Sequence, residues 1–386
     1  MKLLLIFTYN RSVDKLHNSG KLIREIALYE KLLEKGISVS FLTFGDKKDL
    51  SYAKKLKKID VIPAKEFISS RNSRFTMIKS LFIPIKYRKI IRNVEIIKTN
   101  QLNGSWVTWL AKILYRKKLI VRSGFEWLKF YILENQVKGK RNFKKYWIRF
   151  FWRYFIELIS YKLADKIILT NPMDIEFVKK MFRFKKKSKK FELFYNYIDV
   201  DEFKPINIEK KDKNIIYIGR FHQQKNLFNL ILALKDLEDF ELDFIGKGKY
   251  ENSLLEKAEK IHVKLNLLGI FPNNEIPEIL NQYQIFILPS YYEGNPKVLL
   301  EAMSCGLACI GTNVYGIKNI IKHKENGYLC ETNANSINNA IKKLYDDKEL
   351  RNNIGTHARK FVLRNCSLKS IVEKEFALYN SLLKKK

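Results

Sequence analysis

An alternation of short apolar runs with longer amphipathic stretches passes through this chain twice, and it constrains the fold more than any other feature. In the first half KLLLIF (2–7), ISVSFLTF (37–44), VEIIKT (94–99), KLIVRS (118–123) and KIILT (166–170) read as strands. Stretches near 19–35, 74–92, 105–116, 144–163 and 173–182 read as helices. In the second half NIIYIGR (214–220), ELDFIG (241–246), VKLNLLG (263–269), IFILPS (285–290), ACIGT (308–312) and GYLC (327–330) read as strands, with helices between them. Continuous apolar strands separated by helices form parallel sheets covered on both faces. The predicted fold class is therefore α/β, with two doubly wound, Rossmann-like domains. A length of 386 residues suits that number. The join falls in FKKKSKKFELFYNYIDVDEFKPINIEKKDK, where a charge run and Pro205 interrupt the periodicity. The expected division is a first domain over 1–195, a linker over 196–212 and a second domain over 213–365. Ligands of such sheets collect at the carboxyl ends of the strands. Two such sheets facing each other would form a cleft with room for one small ligand and a second substrate.

The opening MKLLLIFTYN has too short an apolar core for a signal peptide and no small-residue cleavage site, so it reads as a first buried strand. No 18-residue apolar run is present, so no transmembrane helix is expected. The four cysteines form no CxxC pair and have no histidine at metal-ligand spacing, which fits reduced cytoplasmic thiols. The net charge of +33 is unevenly placed: residues 1–204 hold 46 Lys/Arg against 19 Asp/Glu, and the remainder holds 27 against 21. Such a field draws nucleic acid, anionic lipid or a phosphorylated substrate. It is also what a chain generally rich in Lys, Asn and Ile would carry without any partner.

The second half carries the sharper chemistry. Gly219 and Arg220 end a strand and Lys225 follows, a cation pair suited to a diphosphate. Two ordinary bases in a solvated loop would look the same. Gly246 and Gly248 in FIGKGKYE permit close backbone approach after the next strand. Then comes SYYEGNPKVLLEAMSCGLACIGT (290–312). Pro296 suits a first helical position, so the helix over VLLEAMSC presents free N–H groups and a positive dipole, an anion site. Glu293 precedes the helix and Glu301 lies in its second turn, where side chains tilt back toward the N-terminus. An acid in that apolar run is tolerable if a vicinal diol such as ribose occupies it, or if it caps backbone or pairs with a base.

Residues 214–330 resemble the nucleotide-sugar domain of family-4 retaining glycosyltransferases with the GT-B fold. The pieces occur in order: Gly219-Arg220 with Lys225, IGKG (245–248), LLGI (267–270), LPSYYEGNPKVLLEAMSCG (288–306) and NGYL (326–329), with FYNYIDVDEFKP (194–205) ahead of them. The frame EGxPxxLLEAMxxG with its E-x7-E spacing is specific. Ala308 departs from it where the family usually has proline. The resemblance implies that Arg220 and Lys225 neutralise the donor's diphosphate and stabilise it as a leaving group. It implies that Glu301 holds the ribose, and that Glu293, Gly294, Asn295, Pro296 and Lys297 lie along the sugar and phosphates. It places Gly219 and Gly246 in the donor loops and the base near Gly269, Ile270 and Phe271. Catalysis would retain the anomeric configuration and need no metal or other cofactor. The last helix, 366–386, would return to the first domain.

The first domain of that family binds the acceptor, often through a paired-glycine loop. Here Ser19-Gly20 stands in its place. The only histidine before the join is His17, read as a loop residue before a helix. Asn100, Gln101 and Arg122 follow or end strands and are acceptor-site candidates. Arg122 could bind an acceptor phosphate or pair with Glu126. KGKRNFKKYWIRFFWRYF (138–155) and RFKKKSKKF (183–191) mix bases with aromatics and suit an anionic membrane surface, which a lipid-linked acceptor would make useful. The alternative for the former is a helix whose stripe of Trp147, Phe150, Phe151, Tyr154, Phe155 and Leu158 is core. No nucleic-acid-binding motif is present, and none is expected to act. The implied function is a transferase building a cell-surface glycan at the inner face of the cytoplasmic membrane. The alternative is a noncatalytic relative docking an enzyme or a membrane, for which the single glycine of Ser19-Gly20 is the motive.

Overall fold

The strand KLLLI is apolar over four successive residues, which suits only a strand buried on both faces, and that is where it lies. In the computed structural model, which describes residues 1–56, 58–70, 73–138 and 143–384, it pairs in parallel with a neighbour on each side. The described residues divide into two compact units, Met1–Phe194 with Ile371 onward, and Tyr195–Ser370.

The first unit contains strands β1 (Lys2–Ile6), β2 (Ser38–Thr43), β3 (Asp60–Pro63), β4 (Ile96–Thr99), β5 (Lys118–Ser123), β6 (Lys166–Leu169) and β7 (Phe191–Leu193). Its helices are α1 (Val13–Asn18), α2 (Leu22–Glu34), α3 (Lys65–Ile68), α4 (Ser73–Leu81), α5 (Ile83–Lys86), α6 (Arg88–Asn93), α7 (Val107–Tyr115), α8 (Trp127–Lys138), α9 (Phe143–Leu163) and α10 (Pro172–Met181). The strands form one parallel sheet in the order β3-β2-β1-β4-β5-β6-β7. β3 and β7 escape a reading of apolar runs: both are short edge strands, and β7 closes the charge run at 183–191. The single helix expected over 74–92 is three pieces, because Pro84 supplies no N–H and the chain restarts at Phe82 and again at Tyr87. His17 lies inside α1, whose N-cap is Ser12, and not in a loop.

The second unit contains β8 (Asn214–Ile218), β9 (Glu241–Ile245), β10 (Lys264–Gly269), β11 (Ile285–Leu288), β12 (Ala308–Thr312) and β13 (Tyr328–Cys330). Its helices are α11 (Leu227–Ala233), α12 (Glu251–Lys260), α13 (Ile276–Asn281), α14 (Lys297–Ser304), α15 (Ala334–Asp346) and α16 (Lys348–Asn365). The order β10-β9-β8-β11-β12-β13 is again a parallel sheet whose direction of travel reverses after its third strand. All four cysteines are free and buried, and all four lie in this unit's main apolar core. The segment 195–212 clusters with this unit: the Ile198 N–H donates to the Cys366 carbonyl, and Arg359 donates to the carbonyls of Val200 and Phe203. Helix α17 (Leu368–Lys384) leaves the second unit and, from Ile371, packs in the first. No helix among the described residues is long and apolar enough to cross a membrane.

Candidate functional site

In the second unit the candidate site lies at the point where strand order reverses, the usual ligand crevice of such sheets. β8 and β11 pair only through Ile215–Ile216 and Ile285–Phe286. Beyond that, two loops take the space. One carries Arg220 to Asn226, the other Ser290 to Pro296.

The two loops are stitched together. Asn226, buried and left-handed (φ 56°), donates to the Pro289 and Thr332 carbonyls at 3.0 and 2.8 Å. Gln224 donates to the Tyr292 carbonyl at 2.8 Å, and the Tyr291 N–H returns a bond to the Gln224 carbonyl. This sets Lys225 against Glu293: Nζ donates to Oε1 at 2.5 Å. The Ser290 hydroxyl donates to the same oxygen at 2.6 Å. Both residues are nearly buried, with side chains 14% and 8% exposed. A buried pair of this kind holds its geometry because either charge alone would be costly. Arg220, by contrast, is exposed.

Glu301 is buried in α14, whose residues Leu299 to Ser304 are all buried. Its charge reaches Glu202, whose carboxyl is raised by burial first, then by Asp199 and Glu301. Pro296 is the N-cap of α14, one residue ahead of the helical position expected for it, and no side chain caps the helix. Asn295 and Lys297 are held from the segment 195–212. The Asn196 N–H donates to Asn295 Oδ1 at 3.1 Å, its side-chain amide to the Asn295 carbonyl at 2.8 Å, and Lys297 Nζ stands 4.8 Å from the Tyr197 ring centre.

The glycines sort by what surrounds them. Gly246 (φ +140°) lies so close to the Gly219 carbonyl that a Cβ would come within 2.0 Å of it. A Cβ on Gly248 would come within 2.2 Å of the Phe221 carbonyl. These two serve loop-on-loop packing beside the site. Gly316 (φ +89°), which sequence reading did not select, lies against the Glu293 carbonyl, and the Glu293 N–H donates to the Tyr315 carbonyl at 2.9 Å. Ile270 is exposed and Phe271 half-buried beyond β10, next to the left-handed Gly269. Ala308 opens β12, and its N–H donates to the Gln284 carbonyl, a bond proline could not make.

The structure thus brings Lys225 to Glu293, whose loop runs through Gly294, Asn295 and Pro296 into the helix that carries Lys297 and Glu301. Ser290, Gln224, Asn226, Asn196, Tyr197 and Gly316 complete the frame. Only the polar residues next to strand ends could have been noticed in the sequence. Their partners lie dozens of residues away.

In the first unit Asn100, Gln101 and Arg122 do come together at the carboxyl ends of β4 and β5. Arg122 Nη1 donates to the Asn100 carbonyl at 3.3 Å, and the Gly124 N–H to Gln101 Oε1 at 2.9 Å. Gly20 is left-handed (φ +65°) with open space around it. Close approach in this unit occurs instead at Gly104, packed on the backbone of Phe7 and Tyr9, and at Gly45, packed on the Asp49 carboxylate. Glu126 is fully buried and accepts from the Tyr161 hydroxyl at 2.7 Å. Burial, then Glu157 and Asp174, push its carboxyl well up, and burial lifts that of Glu157 to about 8.

Residues 199–361 match the family model for glycosyl transferases group 1. An N-acetyl-alpha-D-glucosaminyl L-malate synthase from Bacillus anthracis is 29% identical over 212 residues, 52% of this chain. The chain spans 56% of that protein's length. An N,N'-diacetylbacillosaminyl-diphospho-undecaprenol alpha-1,3-N-acetylgalactosaminyltransferase from Campylobacter jejuni is 28% identical over 364 residues, covering 86% of this chain and 89% of that one. Among solved structures, Anabaena HepE in complex with UDP superimposes with a TM-score of 0.76 at 13% identity, covering 99% of this chain and 100% of that one. A family model over most of the second unit and a fold match over nearly the whole chain agree with the site's geometry: residues 199–361 are similar to group 1 glycosyl transferases, and the chain has a GT-B fold.

Proposed function

We propose that this protein is a retaining, metal-independent glycosyltransferase that moves a sugar from a nucleoside-diphosphate sugar to a lipid-linked acceptor. The product would be a cell-surface polysaccharide or similar glycan, assembled at the inner face of the cytoplasmic membrane. The observation that carries the reading is the locked Lys225–Glu293 pair in the loop that leads into α14, a helix without a side-chain cap that carries the buried Glu301, inside the matched family domain. Relatives whose names specify diphospho-undecaprenol acceptors support the acceptor class. The UDP complex of HepE supports a nucleoside diphosphate as the donor's carrier.

The chemistry follows from the charges. The acceptor hydroxyl attacks the anomeric carbon from the face that the diphosphate leaves. The bond from that carbon to the phosphate oxygen breaks, and this oxygen takes the hydroxyl proton. Arg220, Lys225 and the N-terminus of α14 stabilise the negative charge that develops on the diphosphate, the part a metal plays in other sites. Glu301 receives the ribose hydroxyls. Glu293 holds Lys225 through Oε1 and offers Oε2 to a sugar hydroxyl.

The test is a thermal-shift screen of the purified protein against UDP, GDP, ADP and CMP, followed by transfer assays with the nucleotide sugar of the base that binds. A nucleotide at a hundredfold its Kd adds about 2.7 kcal/mol, an easily read shift. Glu301→Ala should abolish it, and Lys225→Ala should cut turnover by about 10²–10³. If none of the nucleotides shifts the wild-type protein, the proposal fails.

A further inference from the structure

Helix α9 turns an apolar stripe outward. Ile148, Phe151, Trp152 and Phe155 recur at the spacing of one helix face, and all are exposed, Ile148 by 63% and Phe155 by 54%. The face packed inward is made of Tyr146, Ile156, Glu157, Ser160 and Tyr161. So half of the six-residue stripe read from the sequence, Trp147, Phe151 and Phe155, lies in the open and is not core. Its preceding residues 139–142 lie outside the described residues.

The same layer continues through α7 to α4 and α5. Trp109 Nε1 donates to Ser160 Oγ of α9, and the Tyr115 hydroxyl to the Pro84 carbonyl of α5. Along α4 and α5, Phe75, Ile78, Phe82 and Ile85 repeat at helical spacing and are again exposed. Ile113 and Leu114 are exposed on α7 between the two groups. Adjacent exposed hydrophobic residues on this scale mark an interaction surface.

The charges say what covers it. No Asp or Glu occurs between Glu66 and Glu95, between Glu95 and Glu126, or between Glu134 and Glu157. Those three segments contain all of α4, α5 and α7 and the exposed stripe of α9. The same segments carry Lys86, Arg88, Lys89, Arg116 and Arg149 in exposed positions. Solvent-facing helices elsewhere in the chain mix signs, as α12 does with ENSLLEKAEK. A second copy packed on this face would set bases against bases. Anionic headgroups match both the bases and the aromatic rings, which settle at the depth of the headgroups.

We infer that the layer of α4, α5, α7 and α9 rests in the headgroup region of a bilayer containing anionic lipid. This deepens the membrane reading above and rests on it, but it does not rest on the transfer chemistry. The layer lies flat on the bilayer: aromatic and aliphatic side chains enter the interface, and Lys and Arg reach phosphate groups around them.

Flotation or sedimentation of the full-length protein with phosphatidylcholine vesicles, with and without phosphatidylglycerol, tests it. Wild-type protein should bind only the anionic vesicles, and added salt should weaken binding. Phe151→Ser with Trp152→Ser, and separately Lys89→Glu with Arg149→Glu, should each lower vesicle affinity by about tenfold or more. Both double variants should keep the wild-type thermal midpoint and its nucleotide shift, since none of these residues enters the candidate site. Undiminished vesicle binding in both would overturn the inference, as would equal binding to neutral vesicles. So would a concentration-dependent dimer abolished by these changes in protein that binds no vesicles. Wild-type protein that binds anionic vesicles but no nucleotide would uphold this surface while removing the transferase reading.

Discussion

Gly316 sets a tight single-residue constraint on the candidate site. Its φ of +89° is one that side chains rarely adopt, and a Cβ would stand 2.1 Å from the Glu293 carbonyl. Gly316→Ala must therefore push the Glu293 loop away from Lys225. A displacement near 1 Å at a catalytic group costs about 10²-fold in rate. The backbone strain adds about 1–3 kcal/mol of destabilisation. Gly36→Ala is the control: its φ of +78° is similar, but nothing lies within 4 Å. It should lose only about 1–2 kcal/mol and keep the nucleotide shift. Transfer rate and thermal shift measured on both variants check this, and equal transfer rates would refute it. At this scale the sequence was partly legible. Glu293, Glu301 and Lys225 stand in a recognisable frame. Gly316 does not, and Ser290, though inside that frame, is not singled out by it, because their importance comes from contacts across the loop and not from their own chemistry.

Among the elements, α17 and β4 are tied by a buried ion pair. Lys98 Nζ donates to Glu375 Oε1 at 2.6 Å, with both side chains almost fully buried, and the Tyr379 hydroxyl donates to the other carboxylate oxygen. Lys98 also donates to that hydroxyl at 3.2 Å. Burial holds the Lys98 ammonium below its usual range, and the Glu375 carboxylate offsets only part of that. Breaking such a pair from one side leaves a buried charge and costs about 3–5 kcal/mol, whereas replacing both partners with apolar groups is often neutral. Glu375→Leu should lower the urea midpoint accordingly, and Lys98→Met added to it should restore most of the loss. A double variant as unstable as the single one would show that the pair's worth is not electrostatic. Helix periodicity made α17 readable in LKSIVEKEFALYNSLLKKK, and VEIIKT read as a strand. Their pairing did not show, because the partners stand 277 residues apart and a lysine in a buried strand looks like a solvated one. β7 stayed hidden for a related reason: the lysines at 185–190 mask a three-residue strand.

At the scale of the whole molecule, the alternation of strands and helices was legible because the central strands are largely buried and mostly apolar, with single polar residues such as Lys98 in β4 and Asp243 in β9. The charge imbalance was legible too, but its use was not. Residues 1–204 hold most of the excess, and only the structure separates bases on exposed helices from those, such as Lys98, in the interior. The candidate donor residues all fall in one unit, each unit with its own sheet. A nucleotide that binds only the folded second unit stabilises that unit by linkage and leaves local opening in the first unit's sheet unchanged. Hydrogen exchange on the intact chain, with and without the nucleotide that binds, reads this directly. Peptides covering 214–226 and 285–304 should exchange at least tenfold more slowly with nucleotide. Those covering β1, β2 and β4 should not change. Equal slowing in both sheets would mean that donor binding is not confined to the second unit, and that the first unit supplies part of the nucleotide's affinity.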